Sequence, residues 1–248
     1  MFILRSTISG QERGKLSRPP DIPLTVKPGE GASKVRALLT ALVSVLLLTF
    51  TAAQSQDLSR EQAVQSLSGA DAQTRRDAAS RLGEVGSMAE VALLVKALRD
   101  PDEDTRDQAE QALWRIWARS GDPEVDRLYQ TGIEQMNTGD LQRSISTFTR
   151  IIELKPDFAE GWNKRATLYF LAGELHKSLA DCDEVMKRNP YHFGALAGYA
   201  LIFIRLEYYD RALEYSRRAL EVNPNMDGVR RNIDLLERLL EQRRGRMI

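Results

Sequence analysis

The sequence predicts an all-α chain of stacked helix pairs, on three observations. Prolines stand at 156, 190 and 224, a constant 34 residues apart, and each closes a similar phrase: I-I-E-L-K-P, V-M-K-R-N-P and A-L-E-V-N-P. Gly139-Asp140 and Gly173-Glu174 interrupt helical patterns at equivalent places between those prolines. Upstream, Leu67–Leu82 aligns with Leu98–Leu113 at an offset of 31, with Thr74/Thr105, Arg75/Arg106, Ala78/Ala109 and Leu82/Leu113 coinciding. A fixed period of this size marks units that bury their apolar faces only against their neighbours.

Composition narrows the function. The 248 residues carry 35 basic and 35 acidic side chains, so the net charge gives no support to a nucleic-acid binder. One cysteine, Cys182, excludes an internal disulfide framework and a cysteine-based metal cluster. Two histidines, His176 and His192, cannot by themselves form a three-histidine metal site. No nucleophile elbow, phosphate-binding loop, H-E-x-x-H or dinucleotide glycine motif occurs. No cofactor, metal or catalytic residue is expected, and the chain reads as a non-enzyme.

Taken in order, residues 1–34 hold four prolines and four glycines without an apolar period, and are expected to be disordered or a misassigned start. Lys34-Val35-Arg36 then precedes an apolar run, Ala37–Phe50, and the small residues Thr51 and Ala53. A basic flank, a short apolar run and a small-residue site form a secretory signal, here 35–53, with cleavage expected between Ala53 and Gln54. Val35 is a candidate true start. Without residues 1–53 the chain has 28 basic and 32 acidic residues, a net charge of −4. The expected location is the periplasm; anchoring in the inner membrane by residues 37–50 is the alternative. No cysteine adjoins the site, which excludes a lipid anchor.

Residues 57–120 contain the 31-residue repeat, whose aspartates can cap the helices that follow. Ser120-Gly121-Asp122-Pro123 makes a boundary: glycine ends one helix, Asp122 caps the next and Pro123 takes its first position. Residues 122–224 form three 34-residue units. In the third, Glu207-Tyr208 stands where the others have glycine and an acid. Residues 225–242 read as a capping helix with Val229, Ile233, Leu236 and Leu240 on one face, and 243–248 as a basic tail.

The three units resemble the tetratricopeptide repeat (TPR) family. Its first-helix pattern of a large, a small and an aromatic residue is met by Trp162, Ala166 and Tyr169 and by Leu196, Ala200 and Phe203, and more weakly by Leu128, Gly132 and Gln135. Second-helix positions are Ser144, Phe148 and Ile151; Ser178, Cys182 and Val185; Ala212, Ser216 and Ala219. The 57–120 segment resembles HEAT repeats. Together these resemblances imply a right-handed helical-repeat solenoid of the bacterial exported type: HEAT-like pairs, three TPR units and a cap.

The resemblance also implies a site, since first helices of such units line a groove that takes an extended or helical peptide. The groove-facing register falls on Tyr129, Ile133 and Met136, on Asn163, Thr167 and Phe170, and on Ala197, Leu201 and Ile204. Lys164, Arg205 and Arg231 would add donors suited to an acidic group or free carboxylate. The chaperone-tail clamp of some family members is not reproduced, because Tyr129, Ile133, Gly194 and Gly198 occupy its positions. Lys164 and Arg205 are expected to lie free of repeat packing. Cys182 reads as a buried small hydrophobe, His176 as a surface residue, His192 as a turn or cap residue, and Trp114 and Trp117 as a seal against the first unit.

The expected function is a monomeric, non-catalytic interaction scaffold of the bacterial envelope that holds a peptide or protein partner. A non-catalytic subunit or accessory factor of an envelope enzyme or assembly complex is the alternative.

Overall fold

The computed structural model describes residues 58–245, which hold eleven α-helices and no strand. Residues 1–34, the apolar run 37–50, the cleavage site after Ala53 and residues 246–248 of the basic tail lie outside the described residues. The helices are α1 (Arg60–Ser66), α2 (Ala72–Val85), α3 (Val91–Ala97), α4 (Glu103–Trp117), α5 (Pro123–Asn137), α6 (Leu141–Leu154), α7 (Ala159–Leu171), α8 (Leu175–Arg188), α9 (Phe193–Arg205), α10 (Tyr209–Val222) and α11 (Asp227–Gly245). From α5 to α11 each helix packs on the next, while α2 packs on α1 and α4, and α3 on α4.

The 31-residue offset is written into the turns before α2 and α4. Asp71 and Asp102 each accept the backbone N–H three residues on, from Thr74 at 2.8 Å and Thr105 at 2.9 Å. Arg75 donates back to the Gly69 and Ala70 carbonyls, and Arg106 to those of Asp100 and Pro101. Arg75 also forks onto the Asp100 carboxylate at 2.7 and 2.8 Å, tying one turn to the next.

At the boundary Asp122 accepts from the Glu124 and Val125 N–H groups, with Pro123 as the first helical residue and Gly121 at φ 76°. Proline fits there because the first N–H of a helix has no intrahelical partner.

The 34-residue units share one build. Gly139 and Gly173 adopt φ 79° and 80° between the helices, and Glu207 holds the same left-handed place at φ 61° without glycine. Inside the first two pairs a serine hydroxyl donates across to the first helix: Ser144 to the Gly132 carbonyl at 2.8 Å, Ser178 to that of Ala166 at 2.7 Å. Gly132 has no room for a side chain, since a Cβ would lie 2.7 Å from the Phe148 ring.

The N-terminal helices fold back along the turns that join successive units. Arg99 donates to the Val222 and Glu221 carbonyls, Asn223 to Glu110 at 2.9 Å, and Asn225 to the Leu98 carbonyl at 2.8 Å. Trp114 and Trp117 were expected to seal the first unit. They pack instead at the start of the third: Trp117 stacks on His192 at 4.5 Å, and both rings meet Phe193. Phe193, fully buried, thereby belongs to the apolar cluster of the N-terminal helices. The last helix runs to Gly245, past the expected end at 242, and buries Val229 and Leu236.

Candidate functional site

Five of the expected groove residues meet. Asn163, Thr167 and Phe170 on α7 and Leu201 on α9, with Ala197, surround a largely apolar cavity of about 170 Å³ whose floor is Cys182. Gly198 on α9 keeps it open, while Gly194 at its wall makes room for Trp114 on the N-terminal side. A Cβ on Gly198 would touch only the Cys182 sulfur, at 3.7 Å, whereas one on Gly194 would run into the Trp114 ring at 2.6 Å. Leu201 remains 43% exposed at the rim. Burial pushes the Cys182 thiol up to about 12, so it packs as an apolar group and is a poor nucleophile.

Arg205 projects from the end of α9 with its guanidinium 5.1 Å above the Phe170 ring, and no carboxylate pairs with it among the described residues. Arg231 is exposed on α11, one repeat beyond Ala197 and so at the equivalent place in its own helix. Ile133, Met136 and Ile204 are half-buried. His176 is exposed.

Three expected groove residues are committed to other partners. Tyr129 is buried against Phe148 and Phe158, because its ring completes the apolar contact between the first and second units. Asn163, at the cavity wall, has its amide turned inward onto Glu160 at 3.1 Å. Lys164 was expected as a free donor outside the packing; its ammonium lies 2.7 Å from Glu160 and 5.9 Å above the Trp114 ring. A lysine four residues after a fully buried glutamate is the nearest available counter-charge.

Glu160 is the residue that composition and motif reading missed. Its carboxylate, 1% exposed, receives Lys164 at 2.7 Å on one oxygen and His192 Nε2 at 2.8 Å on the other, with Tyr129 OH at 3.5 Å. His192 Nδ1 accepts the Ala195 N–H at 3.0 Å, capping α9 and leaving Nε2 as the protonated nitrogen that donates to Glu160. Burial raises the Glu160 pKa, but the Lys164 charge and the His192 hydrogen bond outweigh it and hold the carboxyl at about 2. The Glu160–Lys164 spacing was a visible signal. The docking of the N-terminal helices that buries the pair had none.

Comparison with known proteins bears on the repeats. The family model described as tetratricopeptide repeat matches residues 194–226, which span α9 and α10. A TPR repeat-containing protein of Rhizobium etli is 37% identical over 108 residues, 44% of this chain and 52% of the relative, so the chain spans about half that relative's length. Among solved structures, the Sgt2 TPR domain from Aspergillus fumigatus is 22% identical at a TM-score of 0.47, covering 50% of this chain and 83% of that one. The first TPR of Spaghetti (RPAP3), solved with an HSP90 peptide, is 19% identical at 0.46, covering 47% and 93%. The matched unit is the third in a series whose turns recur at 139, 173 and 207, and residues 194–226 carry a tetratricopeptide repeat.

Proposed function

We propose that the protein is a non-catalytic scaffold that seats a peptide in the cavity between α7 and α9. The observation that carries this reading is an open, apolar-walled groove, floored by Cys182 and widened by Gly198, with Leu201 exposed at its rim. Apolar walls with a few polar groups suit an anchoring side chain. Arg205 and Arg231 suit an acidic group on the same partner, in place of the paired Lys164.

The test is selection of binding peptides from a random library on the chain beginning at Gln54. Leu201→Asp places a charge at the rim without touching a buried position, and should abolish capture with helicity and melting temperature unchanged. Peptides that bind this variant as well as the parent would refute the groove.

We further propose that the scaffold works in a bacterial envelope after export, a reading supported by the basic flank, the apolar run and the small-residue site of residues 34–53. N-terminal sequencing of the envelope fraction should start at or near Gln54. An intact Met1 on a cytoplasmic species would overturn it.

A further inference from the structure

A second cleft, of about 160 Å³, opens where the end of α4 meets the turns after α6 and α8, away from the groove between α7 and α9. Two buried donors border it without any hydrogen-bond acceptor among the described residues: Trp117 Nε1 and Asn189 Nδ2, on residues 3% and 1% exposed. The Asn189 amide is oriented by its own turn. Its Oδ1 accepts the Tyr191 N–H at 3.2 Å, so the Nδ2 hydrogens must point away from the backbone. The first turn of α7 also borders the cleft at Ala159, and no side chain caps that helix. Gly161 N–H donates to the Phe158 carbonyl at 3.1 Å, and the N–H groups of Ala159 and Glu160 before it have no intrahelical partner.

The next repeat shows what such a donor binds in this fold. Asn223 occupies the position equivalent to Asn189 and uses its Oδ1 in the same way, accepting the Asn225 N–H at 3.0 Å. Its Nδ2 donates to a carboxylate, that of Glu110 on α4, at 2.9 Å. Seven residues along α4, about 10 Å and the same helix face, the chain has Trp117 where a second carboxylate would reach Asn189. Among the described residues the equivalent acceptor is missing.

We propose that this cleft binds a carboxylate supplied from outside the residues described, at the place Glu110 fills one repeat later. Asn189 Nδ2, Trp117 Nε1 and the uncapped N–H groups of α7 donate to it. Lys155, at the cleft, forms no ion pair among the described residues and adds charge, whereas Arg119 and Arg188 are committed to the carbonyls of Gly83, Gly86 and Pro156 and to Glu184. Asp157 is the opposing acid; it is exposed and screened by water. Met88, Ile116 and Phe158 supply apolar wall for the carbon skeleton. The volume admits a carboxylate with a few carbons, as on a small organic acid or the last residue of a peptide.

The assay is a ¹⁵N-edited titration of the full chain that follows the indole N–H of Trp117, assigned with Trp117→Phe. The probes are acetate, a short peptide with a free C-terminal carboxylate, and that peptide as its amide. The indole signal should move saturably with the first two and stay still with the amide. Tighter binding of the peptide than of acetate identifies a chain end as the source, and equal binding a small acid. Asn189→Asp keeps the Oδ acceptor that the turn needs and replaces the donor by a like charge, so binding should vanish. Lys155→Glu, at the cleft edge, should weaken it about tenfold, which serves if the first variant fails to fold. Absence of a saturable shift, or an unchanged one in both variants, would overturn the site while leaving the groove reading untouched.

Discussion

Glu160 and Lys164 stand one helical turn apart, the glutamate fully buried and the lysine partly exposed, and the two are unequal under mutation. Glu160→Gln keeps an acceptor for His192 and releases a lysine that is 20% exposed and can turn to solvent, so it should cost about 2–3 kcal/mol. Lys164→Met leaves a fully buried carboxylate with neutral donors alone and should cost more, about 3–5 kcal/mol; urea unfolding at neutral pH tests the order. The pH dependence follows from the same residue. Its folded pKa, about 2, lies below the ordinary 4.5, so the native state holds fewer protons than the unfolded one. The stabilisation is complete above about pH 4.5 and disappears as pH falls towards 2. Glu160→Gln should flatten that part of the stability curve, and an unaltered slope would assign the acid transition to other carboxylates. At the third inter-helix turn, Glu207→Gly should relieve a left-handed non-glycine residue and gain up to about 1 kcal/mol, while Glu207→Ala gains nothing because Ala keeps the Cβ. The loss of that turn's glycine was legible in the sequence. The burial of Lys164 was not, because it depends on where Trp114 lands.

At the scale of helices, the sequence period carries nearly all the information: apolar residues, turn glycines and prolines recur at one interval because each pair packs in the same way on the next. The caps at Asp71, Asp102 and Asp122 were legible for the same local reason, being satisfied within three residues. Gly198 stands apart from that logic. It sits inside α9, where glycine is unfavourable, and a methyl group there would meet only the Cys182 sulfur. Gly198→Ala should therefore raise stability by about 0.5–1 kcal/mol. If the cavity seats a peptide, the same methyl narrows it, and capture should weaken as the melting temperature rises; a stabilised variant that binds peptide undiminished would separate Gly198 from recognition. The last helix has the opposite balance. Leu236, 1% exposed, packs with Phe203 and Ala212, and Val229 covers Leu196 and Ala219. Ending the chain at Pro224 uncovers both clusters and also removes the Asn225 bond to Leu98. The truncated protein should aggregate or melt well below the parent, as scanning calorimetry with light scattering would record.

Across the whole described molecule, the fold-back of the N-terminal helices changes how stability is shared. An open repeat array is held by contacts between neighbours and can lose its ends first. Here Arg99, Glu110 and Leu98 bond residues 113 to 127 positions away, and Phe193 of the third unit completes the N-terminal apolar cluster. Sequence periodicity is blind to such contacts: they join a 31-residue repeat to a 34-residue one through Trp114, Trp117, His192 and Phe193, which share no common register. The N-terminal helices and the units should consequently unfold together. Far-ultraviolet dichroism, which reports the described helices, and tryptophan fluorescence in a Trp162→Phe background, which leaves the indoles at 114 and 117, should trace one coincident thermal transition. Phe193→Ala empties a fully buried aromatic seat and should cost about 3–5 kcal/mol, most of it at the junction. Once that link is weakened the two repeat types revert to separate units, so the fluorescence transition should fall below the dichroism transition and calorimetry should show two peaks. Two transitions already present in the parent chain would mean that the fold-back contacts add little, and that the pairing of Lys164 with Glu160 beneath Trp114 must stand on local packing alone.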